Sequence, residues 1–338
     1  MRGMRGAITI ALVLLWNAPV SAQTGSPPPY PPPGRLIDVG GWTLHLNCTG
    51  RRSDQPTVVL EAGIGAFSVE WSRVQPHVAA FTRVCSYDRA GSGWSEWGPH
   101  PRTFRQVVYE LHTLLDRSDE RGPYVLVGAS YGGWIVRLYQ LTHPGEVSGL
   151  VLVEAGATDP ERLTPDGRLA RSSDLATGRP IPEARTSGPL HESRIPAAAL
   201  AQIRSGLADA SARANEPPRD RLPLQAREMR TWGLAQVGHV VAAVNPFEAD
   251  ELLDLRMRSR GAYPLADLPL VVITRGRPDD DSDAAREERH RRDHAAVAAM
   301  SRQGHQIISE GSGHHIPIED PAIVVGAIRD ILGRLRKE

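Results

Sequence analysis

Six short runs carry almost no polar alternation: TVVLEAG, RVCSYD, YVLVGAS, GLVLVEAG, PLVVITRG and HQIISEG. Continuous apolar runs of strand length are expected where both faces of a sheet are covered, so they predict the strands of a parallel sheet. Helix-length amphipathic segments lie between them. FRQVVYELHTLLDRS places Val107, Val108, Leu111, Leu114 and Leu115 on one helical face, and GWIVRLYQL resumes helical spacing directly after a serine turn. EDPAIVVGAIRDILGRL closes the chain as a predicted helix, with Asp320 as its cap and Pro321 at its first position. RLIDVGGWTLHLNC alternates and turns at Gly-Gly, the pattern of an antiparallel hairpin at a sheet edge. From Thr158 to Gly261 the strand rhythm stops. Segments such as PAAALAQIRSGLADASARA and EADELLDLRMRSR predict a helical insertion there, a cap over the strand ends. The pattern thus divides the chain into an α/β core, 35–157 and 262–338, interrupted by a cap, 158–261.

The first residues read differently. MRGMRG is basic, AITIALVLLW is apolar and NAPVSA ends in small residues, the three parts of a secretory signal with cleavage expected after Ala22. The apolar run is about half of the roughly 20 residues a spanning helix needs, so no stable membrane anchor is expected. Residues 23–34 are a Pro-rich spacer. Export, to the periplasm or the medium, would place Cys48 and Cys85 in an oxidising compartment. Both sit at the ends of strand-like runs, so a disulfide between them is geometrically possible.

Composition narrows the partner. With 338 residues, 41% of them hydrophobic, the chain has material for a large core. Lys plus Arg equals Asp plus Glu at 39 each, which removes the electrostatic case for nucleic acid and leaves a small molecule as the expected partner.

Within this frame the break in LVGASYGGWIVRLY acquires a chemical reading. GASYG fits G-x-S-x-G between a strand and a helix, so Ser130 is placed on a tight elbow that Gly128 and Gly132 keep free of side chains. A serine hydroxyl needs a base. ISEGSGHHIPIEDP offers His314 on a Gly-rich loop after the last strand, with its neighbour His315 the second choice. An imidazole in that role needs a carboxylate to fix its tautomer. The run RGRPDDDSD supplies Asp279, with Asp280 and Asp281 beside it, and Glu154 after LVLV is a separate candidate. Asp279 is the expected acid. Oxyanion donors are expected from the amides of Tyr131, after the nucleophile, and Ile64, in the loop LEAGIGAFS.

Together these residues resemble the α/β-hydrolase fold superfamily of serine hydrolases. The resemblance runs from about Arg35 to the C-terminus and rests on GASYGG, YDRAGSGWSE, VITRGRPD and GHHIPIEDP, in the family's order Ser130, Asp279, His314. It implies an eight-stranded, mostly parallel sheet with an antiparallel N-terminal hairpin and helices on both faces. It also implies that the second strand lies beside the fourth, which would bring Cys48 to Cys85. Two departures stand out: EAGIG replaces the His-Gly pair of many relatives, and the acid loop holds three consecutive aspartates. A serine at the elbow speaks against the branches that use an aspartate nucleophile.

The implied reaction is hydrolysis of carboxylic esters of small to medium, rather apolar substrates through an acyl-enzyme. Amide hydrolysis, a cofactor-free lyase or peroxidase-like reaction, and non-catalytic binding of a small molecule use the same parts. No cofactor is expected, since GSGW lacks the third glycine and downstream acid of a dinucleotide loop. No metal is expected either, since the His314–His315 pair lacks further ligands at metal spacing. REERHRRDH reads as a solvated charge run.

Overall fold

The structure, a computed structural model, describes residues 29–155, 157–164, 166–278 and 283–336. The expected signal segment 1–22 lies outside the described residues, as do the first positions of the spacer.

The chain opens with the hairpin β1 (Arg35–Asp38) and β2 (Thr43–Thr49), then β3 (Val58–Glu61), α1 (Gln75–Ala79) and β4 (Val84–Tyr87). It continues through α2 (Phe104–Arg117), β5 (Tyr124–Ala129), α3 (Tyr131–Thr142) and β6 (Val147–Val153). An insertion follows, with β7 (Glu161–Leu163), β8 (Leu169–Arg171), α4 (Ser172–Leu175), α5 (Ala197–Ala212), α6 (Leu224–Leu234), α7 (Val237–Ala242) and α8 (Glu248–Arg258). The core resumes at β9 (Leu270–Arg275), α9 (Ala284–Ala298), β10 (Gly304–Ser309), α10 (Ile316–Glu319) and α11 (Pro321–Leu335).

Eight strands form one sheet in the order β1-β2-β4-β3-β5-β6-β9-β10. The pairings of β2 with β1 and with β4 are antiparallel, and the rest are parallel. The unalternating runs now have their reason. Along β5, Tyr124 and Leu126 enter one apolar layer while Val125 and Val127 enter the other, and β9 divides Leu270 and Val272 from Val271 and Ile273 in the same way. The first layer is closed by α2, α3 and α9, the second by α1 and α11. Between β2 and β4, Cys48 lies directly opposite Cys85 and the two are joined by a disulfide.

The predicted cap at Asp320 forms, and a second one is found at Thr103. Asp320 accepts from the Ile323 amide at the start of α11, and Thr103 accepts from Gln106 at the start of α2. Glu251 of α8 accepts from the amides of Phe104 (2.7 Å) and Arg105 (3.1 Å), which ties the insertion to the core at the same helix start. A second tie is apolar: Phe67, Val69 and Trp94 of the core pack with Leu222, Ala226 and Met229 of the insertion. The insertion is not purely helical. β7 and β8 pair antiparallel across a turn in which Gly167 takes φ +81° and the Thr164 amide donates to the Arg168 carbonyl. The Asp166-Gly167 pair is the sequence signal for that hairpin.

From β3 the chain crosses to β4 on one side and then to β5 on the other. Loops leaving the two strands at such a switch point diverge and open a crevice beyond their C-terminal ends, where ligands of open α/β sheets bind.

Candidate active site

Four strand ends meet at that crevice. Ser130 follows β5 and takes φ +50°, ψ −120°, a conformation L-residues rarely adopt. The turn is possible because nothing projects from the glycines around it. A Cβ on Gly128 would lie 2.6 Å from the Gly132 carbonyl oxygen, and one on Gly132 would lie 2.6 Å from that of Glu61. With Ser130 as the helix cap, the Tyr131 amide is one of the first N–H groups of α3, which have no acceptor within the helix.

Across the crevice, His314 on the loop after β10 brings Nε2 to 3.0 Å from Ser130 Oγ. Its Nδ1 stands 3.2 Å from Glu154 Oε2. Asp279, Asp280 and Asp281 lie outside the described residues; among the described residues the carboxylate that meets His314 is that of Glu154. It leaves β6, the strand next to both β5 and β9, and its own backbone is turned to φ +48°. His315 faces elsewhere: its Nε2 accepts from Arg219 at 3.1 Å, and burial together with the Arg219 charge pushes its pKa down to about 3.

Glu154 is buried and receives four donors. The Arg275 amide (2.9 Å) and His290 Nε2 (3.0 Å) bond to Oε1, and Arg275 Nη1 (3.1 Å) joins His314 at Oε2. Burial alone would raise its pKa. Hydrogen bonds from His290 and His314 and the neighbouring imidazoles outweigh burial and hold it well below the ordinary carboxylate range. His290 and His294 both come from α9, in the segment expected to be a solvated charge run. The reading holds for the outer face only, because Glu287, His294, Val297 and Ala298 recur at helical spacing and are buried. Histidines four residues apart were the available signal. Glu154, His290 and His294 could offer three atoms to a metal ion, lying within 4.8 Å of one another. Arg275 occupies the same carboxylate, so a cation there would have to displace or repel a guanidinium.

The fourth strand end is that of β3, with the loop that follows it. Gly63 runs against Ser130, since a Cβ there would lie 3.5 Å from that of the serine. Ile64 lies on the same loop with its side chain half exposed. Arg89 anchors this loop from behind, donating to the carbonyls of Ala62 and Gly63 and pairing with buried Glu61, which also accepts from Tyr87. Arg89 belongs to the YDRAG stretch, and sequence reading assigned it no task.

Two cavities open on either side of Ser130 and His314. One, of about 220 Å³, is walled by the Ala62–Ala66 loop, Trp71, Pro317 and Ile318. The other, of about 260 Å³, runs past Trp134 and Ala155 toward α9 and the β7–β8 hairpin. Trp232, Phe247 and Tyr263 border neither: Trp232 packs on Tyr30 and Trp94, while Phe247 and Tyr263 lie under Arg179 and Arg302.

Known proteins place this architecture. The sequence profile described as alpha/beta hydrolase fold matches residues 56–232, just over half of the chain. The chain belongs to the alpha/beta hydrolase fold family. An AB hydrolase superfamily protein of Gibberella zeae is 25% identical over 299 residues, covering 83% of this hydrolase-fold chain and 88% of its own. Lipase LipV of Mycobacterium tuberculosis is 34% identical over 94 residues, 28% of this chain and 35% of that lipase. The chain spans 18%, 29% and 41% of the length of three further curated relatives, which are 31% to 35% identical over 103 to 154 residues. Among solved structures, the enol-lactonase of Burkholderia xenovorans superposes with TM-score 0.58 at 18% identity, over 88% of this chain and all of that one. At that identity the likeness is one of fold.

Proposed function

We propose that this alpha/beta hydrolase is an exported serine hydrolase that cleaves carboxylic esters of small to medium substrates. One observation carries the proposal: a strained serine, an imidazole and a carboxylate stand in sequence, 3.0 and 3.2 Å apart, at the switch point of the sheet. In the reaction Ser130 Oγ attacks the ester carbonyl and its proton passes to His314 Nε2. The negative charge that develops on the carbonyl oxygen is met by the amides of Tyr131 and Ile64. Glu154, in place of the expected Asp279, keeps His314 in the tautomer that can accept at Nε2 and stabilises the imidazolium. His314 then protonates the departing alcohol. A water molecule that gives its proton to the same imidazole attacks the acyl-enzyme, and collapse returns the proton to Ser130 and frees the acid.

Each assignment has support. A carboxylate held ionised by four donors can act only as an acceptor and an electrostatic partner, which suits Glu154 to orienting an imidazole. Apolar side chains in the cavity beside the Ala62–Ala66 loop suit the hydrocarbon part of an ester. The Cys48–Cys85 disulfide supports export, since such bonds persist in oxidising compartments.

The test is labelling with a fluorophosphonate and turnover of chromogenic esters. Ser130→Ala is expected to abolish labelling and to lower turnover about 10⁴-fold or more. A protein that releases at most one equivalent of product would instead be a binder, and full turnover by the variant would remove Ser130 from the mechanism.

A further inference from the structure

The cavity on the α9 side of Ser130 is charged in an uneven way. Near the nucleophile its wall is apolar, formed by Trp134, Ala155 and Ala157. Farther along, it is lined by four arginines and three carboxylates. Arg275 is engaged with Glu154 and Glu287 at 3.1 and 2.9 Å, and Arg171 hydrogen-bonds Asp293 at 3.2 Å. Arg286 and Arg289 remain. Both approach one carboxylate, Glu161, each at 3.7 Å, beyond hydrogen-bond distance. Two guanidiniums one helical turn apart therefore share a single negative charge and direct it no close hydrogen bond. Counted with Glu287, the four arginines face four carboxylates, so what sets Arg286 and Arg289 apart is that the acid they share stands beyond hydrogen-bond distance of both.

Guanidinium donors form a planar fork that matches a carboxylate. Because Arg286 and Arg289 are partly exposed, water solvates them in the absence of ligand, and an incoming carboxylate would have little desolvation to overcome at the mouth. We propose that Arg286 and Arg289 bind an anionic group of the substrate, so that the preferred ester carries a carboxylate a few atoms from its scissile carbonyl. This rests on reading Ser130 as the nucleophile. Glu161 is then the resident counter-ion that the substrate carboxylate displaces or supplements.

Two matched ester pairs test this: p-nitrophenyl glutarate against p-nitrophenyl valerate, with the charge on the acyl side, and 4-carboxyphenyl butyrate against phenyl butyrate, with the charge on the alcohol side. In at least one pair kcat/KM is expected to favour the charged ester about tenfold or more, the worth of one hydrogen bond to a charged group. The double variant Arg286→Gln/Arg289→Gln is expected to bring that ratio to about one or below. Glu161→Gln is expected to raise it severalfold, an opposite shift that a folding defect would not produce. Neutral preference in both pairs, or a preference that the double variant keeps, would overturn the proposal. Glutarate binding, measured calorimetrically on Ser130→Ala with and without the arginine substitutions, separates the two readings. Arginine-dependent glutarate binding in a protein that hydrolyses no ester would sink the esterase and keep the anion site. Ester hydrolysis with no glutarate binding and no charge preference would do the reverse.

Discussion

Glu154 is the residue at which the structure adds most to the sequence reading. The sequence offers carboxylates after two strands, β6 and β9, which are neighbours in the sheet. No local pattern separates them. What the structure adds is the turn at Glu154, whose positive φ and bonds to Arg275 and His290 bring its carboxylate to His314. Glu154→Gln keeps the shape but removes the charge that stabilises the imidazolium and allows the wrong tautomer. It is expected to lower kcat by about 10² to 10⁴, whereas Asp279→Asn should cost far less in the same assay. The reverse ranking would return the role to Asp279. Ser130 and His314 were legible because each is announced by local chemistry, a glycine elbow and a Gly-rich loop, which needs no knowledge of which strands are neighbours.

At the scale of elements, the apolar runs and caps predicted strands and helices well, because each is a local energy preference. Two elements escaped. The β7–β8 hairpin is short and lies in a polar segment where only the Asp166-Gly167 turn speaks for it. Helix α9 was read by its charges, although what fixes it is the buried face at positions 287, 294, 297 and 298. The β2–β4 pairing yields a prediction of its own. Cys48 and Cys85 close a loop of 37 residues, so Cys48→Ala/Cys85→Ala is expected to lose roughly 4 kcal/mol of stability by restoring chain entropy to the unfolded state. A denaturant titration checks this, and an unchanged midpoint would show that the sheet holds this edge without the bond.

Across the whole molecule, charge balance coexists with strongly shifted groups inside. Burial lowers His239 and His294 from 6.5 to about 4. Both stay neutral in the folded state over a range in which the unfolded chain takes up protons. The stability tied to them is fully present above pH 6.5 and is lost as the pH falls from 6.5 toward 4. Each group adds a slope of up to about 1.4 kcal/mol per pH unit in that window. Glu154, held low, is lost in the same direction at still lower pH. Melting temperatures are therefore expected to be level from pH 8 to 7 and to decline from 6.5 to 4, less steeply in His239→Gln. A level profile down to pH 4.5 would contradict the shifts.

The sequence by itself determined the layered sheet, the elbow at Ser130 and the Gly-rich loop that carries His314, because periodicity, turn chemistry and capping act within a few residues. Only the tertiary structure decided that Glu154 reaches His314, how Arg89 braces the loop beside Ser130 and why α9 turns histidines and arginines toward the crevice. Those outcomes depend on strand neighbours and on helices packed from distant parts of the chain, and the forces that select them, burial and paired charge, exist only once those parts have met.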